Sequence, residues 1–411
     1  MLKTPQTLRA GLLGAHLGHS FSPAIHKALG DYEYRLFEIE EHAIADFFKS
    51  DCFDALNVTV PYKKAVIPYL DALSPRATEI GAVNTVLRRP DGTLYGDNTD
   101  YDGLAYMLSA KGVSPTGKKV LILGSGGAAV TARALVRNLG GEAVIISRTG
   151  ADNYGNLDKH ADAKIIINAT PVGMYPAGGD TPLSLAGFPS LEAVFDLIYN
   201  PLRTRLLQDA EARGLICENG LSMLVAQAHR AAELFLSRDL PTAGIEEILT
   251  ALRRTRENIV LIGMPGCGKT TLGKLLAQAL AKPFVDLDEE IVQEAGYAIP
   301  DIFNNEGEAG FRAREHAALK KHTAIGGTVI ATGGGIVTRP ENEFFLKQNG
   351  QVIFLDVPPV GLPTAGRPLS IARSPEALYR ERLPLYRKMA DKTVSITRDT
   401  EENLAKLKAT F

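Results

Sequence analysis

Cysteine is scarce in this sequence. Cys52, Cys217 and Cys267 are the only three, and no two stand at a CxxC or metal-ligand spacing. A reducing compartment is therefore expected. Long apolar runs are missing too, since none approaches the roughly 18 residues of a membrane span. The stretch after Lys3 and Arg9 is interrupted by Gly14, His16 and Gly18. A secretory signal is not expected there, nor a membrane as partner, and the expected location is the cytoplasm. Charge of one sign is also absent, with 45 basic against 47 acidic residues. That balance argues against nucleic acid or an acidic surface as the main partner. Internal repeats, low-complexity tracts and a long flexible linker do not occur. Glycine, by contrast, is plentiful at 39 residues, and several cluster as they do in phosphate sites.

At 411 residues the chain exceeds one ordinary domain. Short apolar runs at Lys119–Leu123, Ala143–Ile146, Lys164–Ile167, Asn258–Ile262, Thr328–Ala331 and Gln351–Leu355 read as strands. Amphipathic stretches such as Ala128–Asn138 and Thr270–Leu280 read as helices. This alternation predicts an α/β protein with parallel sheets covered by helices. The expected seam is at 251–257, where the run Arg253-Arg254-Thr255-Arg256 separates a helical stretch from a new strand.

Two glycine loops carry chemistry. The strand Lys119–Leu123 runs into Gly124-Ser125-Gly126-Gly127-Ala128-Ala129 and then a helix, the G-x-G-x-x-A form of the dinucleotide fingerprint. Gly124 permits the turn, Gly126 admits the pyrophosphate, and Ala129 allows close packing of helix on strand. Gly127 and Ala128 open the helix whose N–H groups would face the anion. The next strand ends at Ser147-Arg148, with no acid for a ribose 2′-hydroxyl. Arg148 could pair with a 2′-phosphate, which favours NADP(H) over NAD. Asp152, where a second basic residue would help, pulls the other way.

The second loop is Gly263-Met264-Pro265-Gly266-Cys267-Gly268-Lys269-Thr270, a full Walker A match between a strand and a helix. Gly263, Gly266, Gly268 and Thr271 belong to the phosphate cradle for ATP. Lys269 neutralises charge on the β- and γ-phosphates, and Thr270 ligates Mg²⁺. The following strand ends Asp286-Leu287-Asp288. Strand alternation would aim both carboxylates one way, Asp286 to the metal and Asp288 to a substrate hydroxyl.

Six further motifs in the first 250 residues resemble shikimate dehydrogenases. They are His19-Ser20-Phe21-Ser22-Pro23, Asn57-Val58-Thr59-Val60-Pro61-Tyr62-Lys63, Gly81-Ala82-Val83-Asn84-Thr85, Gly96-Asp97-Asn98-Thr99-Asp100, Asn168-Ala169-Thr170-Pro171-Val172-Gly173-Met174, and the segment Asn219 to Gln227. The resemblance implies a substrate domain at 1–103, completed by 221–250, with a Rossmann dinucleotide domain at 104–220. It implies Lys63 and Asp100 as the catalytic pair. A lysine ammonium can protonate the alkoxide left by hydride transfer to a ketone, and a neighbouring carboxylate holds it in place. Ser20 and Ser22 would bind the substrate carboxylate. Thr59, Asn84 and Gln227 would bind ring hydroxyls, and Tyr199 would line the site.

Residues 258–411 resemble shikimate kinases, which implies a P-loop domain with a parallel sheet. The resemblance rests on the Walker loop, the Asp286/Asp288 pair, Phe311-Arg312-Ala313-Arg314-Glu315, Thr332-Gly333-Gly334-Gly335, Gly366-Arg367-Pro368-Leu369 and Arg382-Leu383-Pro384-Leu385-Tyr386. It implies Arg312 and Arg382 as a clamp on a carboxylate, suited to planar guanidinium forks. Gly334 would bring backbone close to the substrate ring, and Arg367 would stabilise the transferring phosphoryl group from a lid. The segment before Arg367 is short and has no arginine to stack on adenine, a role left to Arg398.

The combined expectation is a bifunctional enzyme that reduces 3-dehydroshikimate to shikimate and then phosphorylates it. A non-catalytic sensor built from the same domains would have lost Lys63, Asp100, Lys269 or Asp286, and all four are present. Quinate oxidation with NAD is less compatible with a kinase partner.

Overall fold

A computed structural model describes residues 8–18, 20–359, 362 and 374–411. These form two compact units. The first takes in the described residues up to Gly173, with Asp180–Tyr199 and Asp209–Ala251. The second takes in Met174–Gly179, Asn200–Gln208 and the described residues from Leu252.

The first unit contains two sheets. One is mixed, built from β1 (Arg9–Gly14), β2 (Glu33–Glu38), β3 (Ala55–Val58), β4 (Ala72–Leu73), β5 (Thr85–Arg88) and β6 (Leu94–Asp97) in the order β2-β1-β3-β5-β6-β4. β3, β5 and β6 pair antiparallel, so the start of β5 lies beside the end of β6, with Thr85 opposite Asp97. That register brings the Asn84 turn and the Asp97–Asp100 turn together. The other sheet is parallel, ordered β11-β10-β9-β7-β8. Its strands are β7 (Lys119–Leu123), β8 (Glu142–Ile146), β9 (Ile165–Asn168), β10 (Ala193–Asp196) and β11 (Ile216–Asn219). β9 and β10 are buried at every residue, as expected where helices cover both faces.

Helix Asp100–Ser109 packs on helix Leu221–Leu236. Gly103 sets their separation, because a Cβ there would lie 2.5 Å from the Met223 carbonyl oxygen and 2.9 Å from Gln227 Cβ. Gly103→Ala should therefore force the helices apart at a cost of about 1–3 kcal/mol. It should also lower dehydrogenase turnover, since Asp100 and Gln227 sit on the two helices. Thermal melting and NADPH consumption check both effects.

The second unit holds a parallel sheet ordered β13-β14-β12-β15-β16. Its strands are β12 (Asn258–Gly263), β13 (Phe284–Asp286), β14 (Val329–Ala331), β15 (Gly350–Asp356) and β16 (Lys392–Ser395). The loops leaving β12, β13 and β14 emerge at one edge of the sheet, where ligands bind in open α/β folds. The basic run at 253–256 is not a linker but the last turn of helix Ala243–Arg256, and β12 follows after one residue. No helix among the described residues is long and apolar enough to cross a membrane.

Candidate active sites

The first site is a cavity of about 480 Å³ lined by Ser20, Ser22, Thr59, Lys63, Asn84, Asp100, Tyr199 and Gln227, together with Asn57 and Ala128. At its centre Lys63 Nζ donates to Asp100 Oδ2 at 2.6 Å. The Asp100 side chain is 11% exposed and that of Lys63 24%. Asn84 Nδ2 donates to Asp100 Oδ1 at 2.9 Å, while Asn84 Oδ1 accepts from the Thr99 amide at 2.7 Å. Both carboxylate oxygens of Asp100 are thus occupied, which fixes the ammonium it pairs with. Gln227 Oε1 accepts from Asn84 Nδ2 at 3.4 Å. Ser22 is the first residue of helix Ser22–Leu29 and does not cap it, leaving its hydroxyl to the cavity side. Ser20 Oγ accepts from the Ser22 amide at 3.2 Å.

The second site is a cavity of about 410 Å³ lined by the Walker loop, Asp286, Asp288, Phe311, Arg312, Glu315, Gly333–Gly335 and Arg382. Lys269 Nζ rests on the Gly263 and Met264 carbonyls, both at 2.9 Å. Thr270 Oγ1 donates to Asp286 Oδ2 at 2.6 Å. The two aspartates do not share a strand face. β13 ends at Asp286, which caps helix Leu287–Ala295 by accepting from the Asp288 amide at 3.0 Å. Helical geometry, not strand alternation, turns Asp288 into the cavity.

Burial, then the nearby Glu315 and Asp286 charges, push the Asp288 carboxyl up to about 7. Burial also raises Glu315, opposed by Arg312. Arg312 Nη1 donates to Glu315 Oε2 at 2.7 Å, and Glu315 is fully buried. The i, i+3 pair expected on a helix surface is therefore internal. Arg382 Nη1 donates to the Gly334 carbonyl at 3.1 Å, as does Tyr386 Oη. The glycine triplet answers to packing at each position. A Cβ would lie 2.4 Å from Glu315 Oε1 at Gly333, 2.5 Å from Pro265 Cδ at Gly334 and 2.1 Å from Arg312 Nη2 at Gly335. Gly335→Ala should displace the Arg312 fork and raise the KM for shikimate about tenfold or more, measured by ADP release.

The residues 12–86 match the shikimate dehydrogenase substrate-binding domain, and 265–410 match shikimate kinase. A shikimate dehydrogenase (NADP(+)) of Clostridium perfringens is 35% identical over 268 residues, which is 59% of this chain and 97% of that protein. The chain belongs to the shikimate dehydrogenase family. Its C-terminal part is a shikimate kinase domain, so one polypeptide carries both enzymes. The crystal structure of shikimate dehydrogenase 1 from Peptoclostridium difficile is 36% identical, with a TM-score of 0.55, over 60% of this chain and 98% of that one. A Thermus thermophilus shikimate 5-dehydrogenase solved with NADP(H) and shikimate is 34% identical, with a TM-score of 0.55, over 60% of this chain and 99% of that one.

The dehydrogenase half has room for its dinucleotide. Gly124 has φ 108°, and a Cβ there would lie 3.0 Å from the Ala169 carbonyl oxygen. At Gly126 and Gly127 a Cβ would meet nothing within 4 Å, the open backbone a pyrophosphate needs. Helix Gly127–Asn138 begins there. In the kinase half Gly266 and Gly268 have φ 81° and 93°. Thr270 beside Asp286 is the sparse oxygen set Mg²⁺ takes when phosphates supply the rest.

Not every expected residue converges. Arg148 is exposed on the segment after β8, outside the cavity, and Arg398 is exposed before helix Thr400–Lys408, also outside the kinase cavity. Arg367 lies outside the described residues. Conversely, Asn57, Glu315 and Tyr386 belong to the sites and were not singled out. Asn57 lies two residues before Thr59, the strand spacing that shares a face, and its buried Nδ2 has no partner. Tyr386 is fully buried with its hydroxyl on Gly334. A tyrosine in a helix gives no local sign of such a long-range bond.

Proposed function

We propose that the Lys63/Asp100 site reduces 3-dehydroshikimate to shikimate and that the Asp288/Arg312/Arg382 site phosphorylates shikimate at its 3-hydroxyl. The observation that carries the first assignment is the 2.6 Å Lys63–Asp100 pair in one cavity with Ser20, Ser22, Thr59, Asn84 and Gln227. Bound NADPH supplies the hydride. Lys63 Nζ then transfers a proton to the oxygen that becomes the new hydroxyl, and its positive charge stabilises that oxygen as it gains electrons. Asp100 holds Lys63 and accepts from a ring hydroxyl. Ser20 and Ser22 donate to the substrate carboxylate, and Tyr199 closes one wall.

In the second site Arg312 and Arg382 clamp the carboxylate. Asp288 accepts the proton of the attacking hydroxyl. Lys269 leaves its two backbone carbonyls for the phosphates, neutralising charge as the γ-phosphoryl moves. The proposed boundaries are 1–103 with 221–250 for the substrate domain, 104–220 for the dinucleotide domain and 258–411 for the kinase. The proposed location is the cytoplasm, where these small acids and coenzymes are dissolved.

The two halves are tested one at a time. The purified chain should consume NADPH with 3-dehydroshikimate, and should release ADP with shikimate and ATP·Mg. A chain inert in either assay contradicts that half of the proposal.

A further inference from the structure

The loop leaving β8 carries two opposite charges whose arrangement the dehydrogenase reading does not use. The Ser147 amide donates to the Asp152 carbonyl at 3.3 Å, and Ser147 bridges Asn153. Residues 147–152 are thereby drawn into a closed loop. Gly150 makes the closure possible, because a Cβ there would lie 2.6 Å from Ser147 Oγ. Arg148 and Asp152 stand on this one loop at the end of the second strand of a parallel dinucleotide sheet. In such folds that strand end meets the adenosine ribose.

The two side chains do not neutralise each other, for no ion pair joins them among the described residues. Arg148 is exposed and acts electrostatically on the phenol of half-buried Tyr154. Asp152 is anchored instead by His160, whose Nε2 lies 3.0 Å from Asp152 Oδ1. His160 is buried on the short turn Leu157–His160, so it holds the carboxylate from beneath. Asp152 Oδ2 has no hydrogen bond among the described residues, and the side chain is 41% exposed. An oriented carboxylate with one free oxygen is an acceptor for a hydroxyl and a repellent for a phosphate. The guanidinium four residues earlier has the opposite preference.

We infer that this loop is a split ribose site, with Arg148 taking the 2′-phosphate of NADPH and Asp152 accepting the 2′-hydroxyl of NADH, so that the dehydrogenase half uses both coenzymes. The inference rests on the reading of Arg148 as the phosphate contact and adds Asp152 as the residue that sets selectivity.

The full chain has no tryptophan, so the fluorescence of reduced nicotinamide can be followed directly as NADPH or NADH binds. Wild type should bind the two with affinities within about tenfold of each other, and should turn over 3-dehydroshikimate with either. Asp152→Asn should weaken NADH about tenfold, as for a lost bond to a charged acceptor. It should tighten NADPH about threefold by removing a like charge. Kinase turnover, unchanged in the same preparation, shows that the variant is folded. Arg148→Ala should weaken NADPH and spare NADH. If Arg148→Ala weakens NADPH while Asp152→Asn moves neither affinity, the split site is overturned and the phosphate contact stands. If Arg148→Ala leaves NADPH unchanged, the phosphate contact itself is overturned. Absence of NADH binding and turnover in wild type at millimolar coenzyme also overturns the inference.

Discussion

Lys63→Ala should lower the dehydrogenase kcat by about a thousandfold or more while leaving kinase turnover at the wild-type value. The size follows from two losses at once, a positioned proton donor and the charge that stabilises the developing alkoxide. Asp100 would keep its bond from Asn84 but lose its 2.6 Å cationic partner while remaining buried. An unpaired buried carboxylate destabilises, so the first unit should also melt earlier. Lys63→Met separates the effects, because it restores apolar packing without the proton. A rate loss that persists in Lys63→Met is chemical. A substantial recovery would assign Lys63 a packing role instead.

Asp288→Asn should abolish most kinase activity, by about a hundredfold or more, and should stabilise the protein at alkaline pH. Asp288 ionises only near 7, because its buried position and the neighbouring Glu315 and Asp286 disfavour the charge. The working form is the carboxylate, so wild-type kinase kcat should rise through pH 6–8 and level off above. The asparagine variant should be slow and flat over that range. A raised carboxyl pKa contributes stability that is complete below the group's ordinary range and is lost as pH climbs through 7. Wild type therefore gives up a few kcal/mol between acidic and alkaline pH that Asp288→Asn does not. The melting temperature of the variant should exceed that of wild type at pH 8, and the gap should close near pH 4. Equal melting at both pH values would contradict a buried, function-bearing Asp288.

Both nucleotide loops could be read from the sequence because their signals are local. A glycine turn between an apolar strand and a helix is specified within about ten residues, and Gly124 and Gly266 adopt the positive φ such turns require. The substrate residues were legible only as motifs in a family order. Nothing local says that Lys63, Asn84 and Asp100 meet. The meeting depends on the antiparallel register of β5 with β6 and on helix packing at Gly103. Two readings failed through periodicity. Strand alternation was applied across Asp286 to Asp288, where the strand had already ended. The pair Arg312–Glu315 fitted a helix surface equally well, and only tertiary packing buries Glu315. The adenine end of the kinase site stayed illegible, and Arg398 is exposed away from the cavity.

The central claim is that one chain performs two consecutive steps, and a single reaction mixture tests it most directly. Purified protein with 3-dehydroshikimate, NADPH and ATP·Mg should yield shikimate 3-phosphate, with NADPH and ATP consumed in equal amounts. Omitting NADPH should stop both steps, and omitting ATP should leave shikimate. An equal mixture of Lys63→Ala and Lys269→Ala should restore the product that neither makes alone. Phosphorylated product without NADPH, or NADPH consumption with no phosphorylated product when ATP is present, would contradict the account.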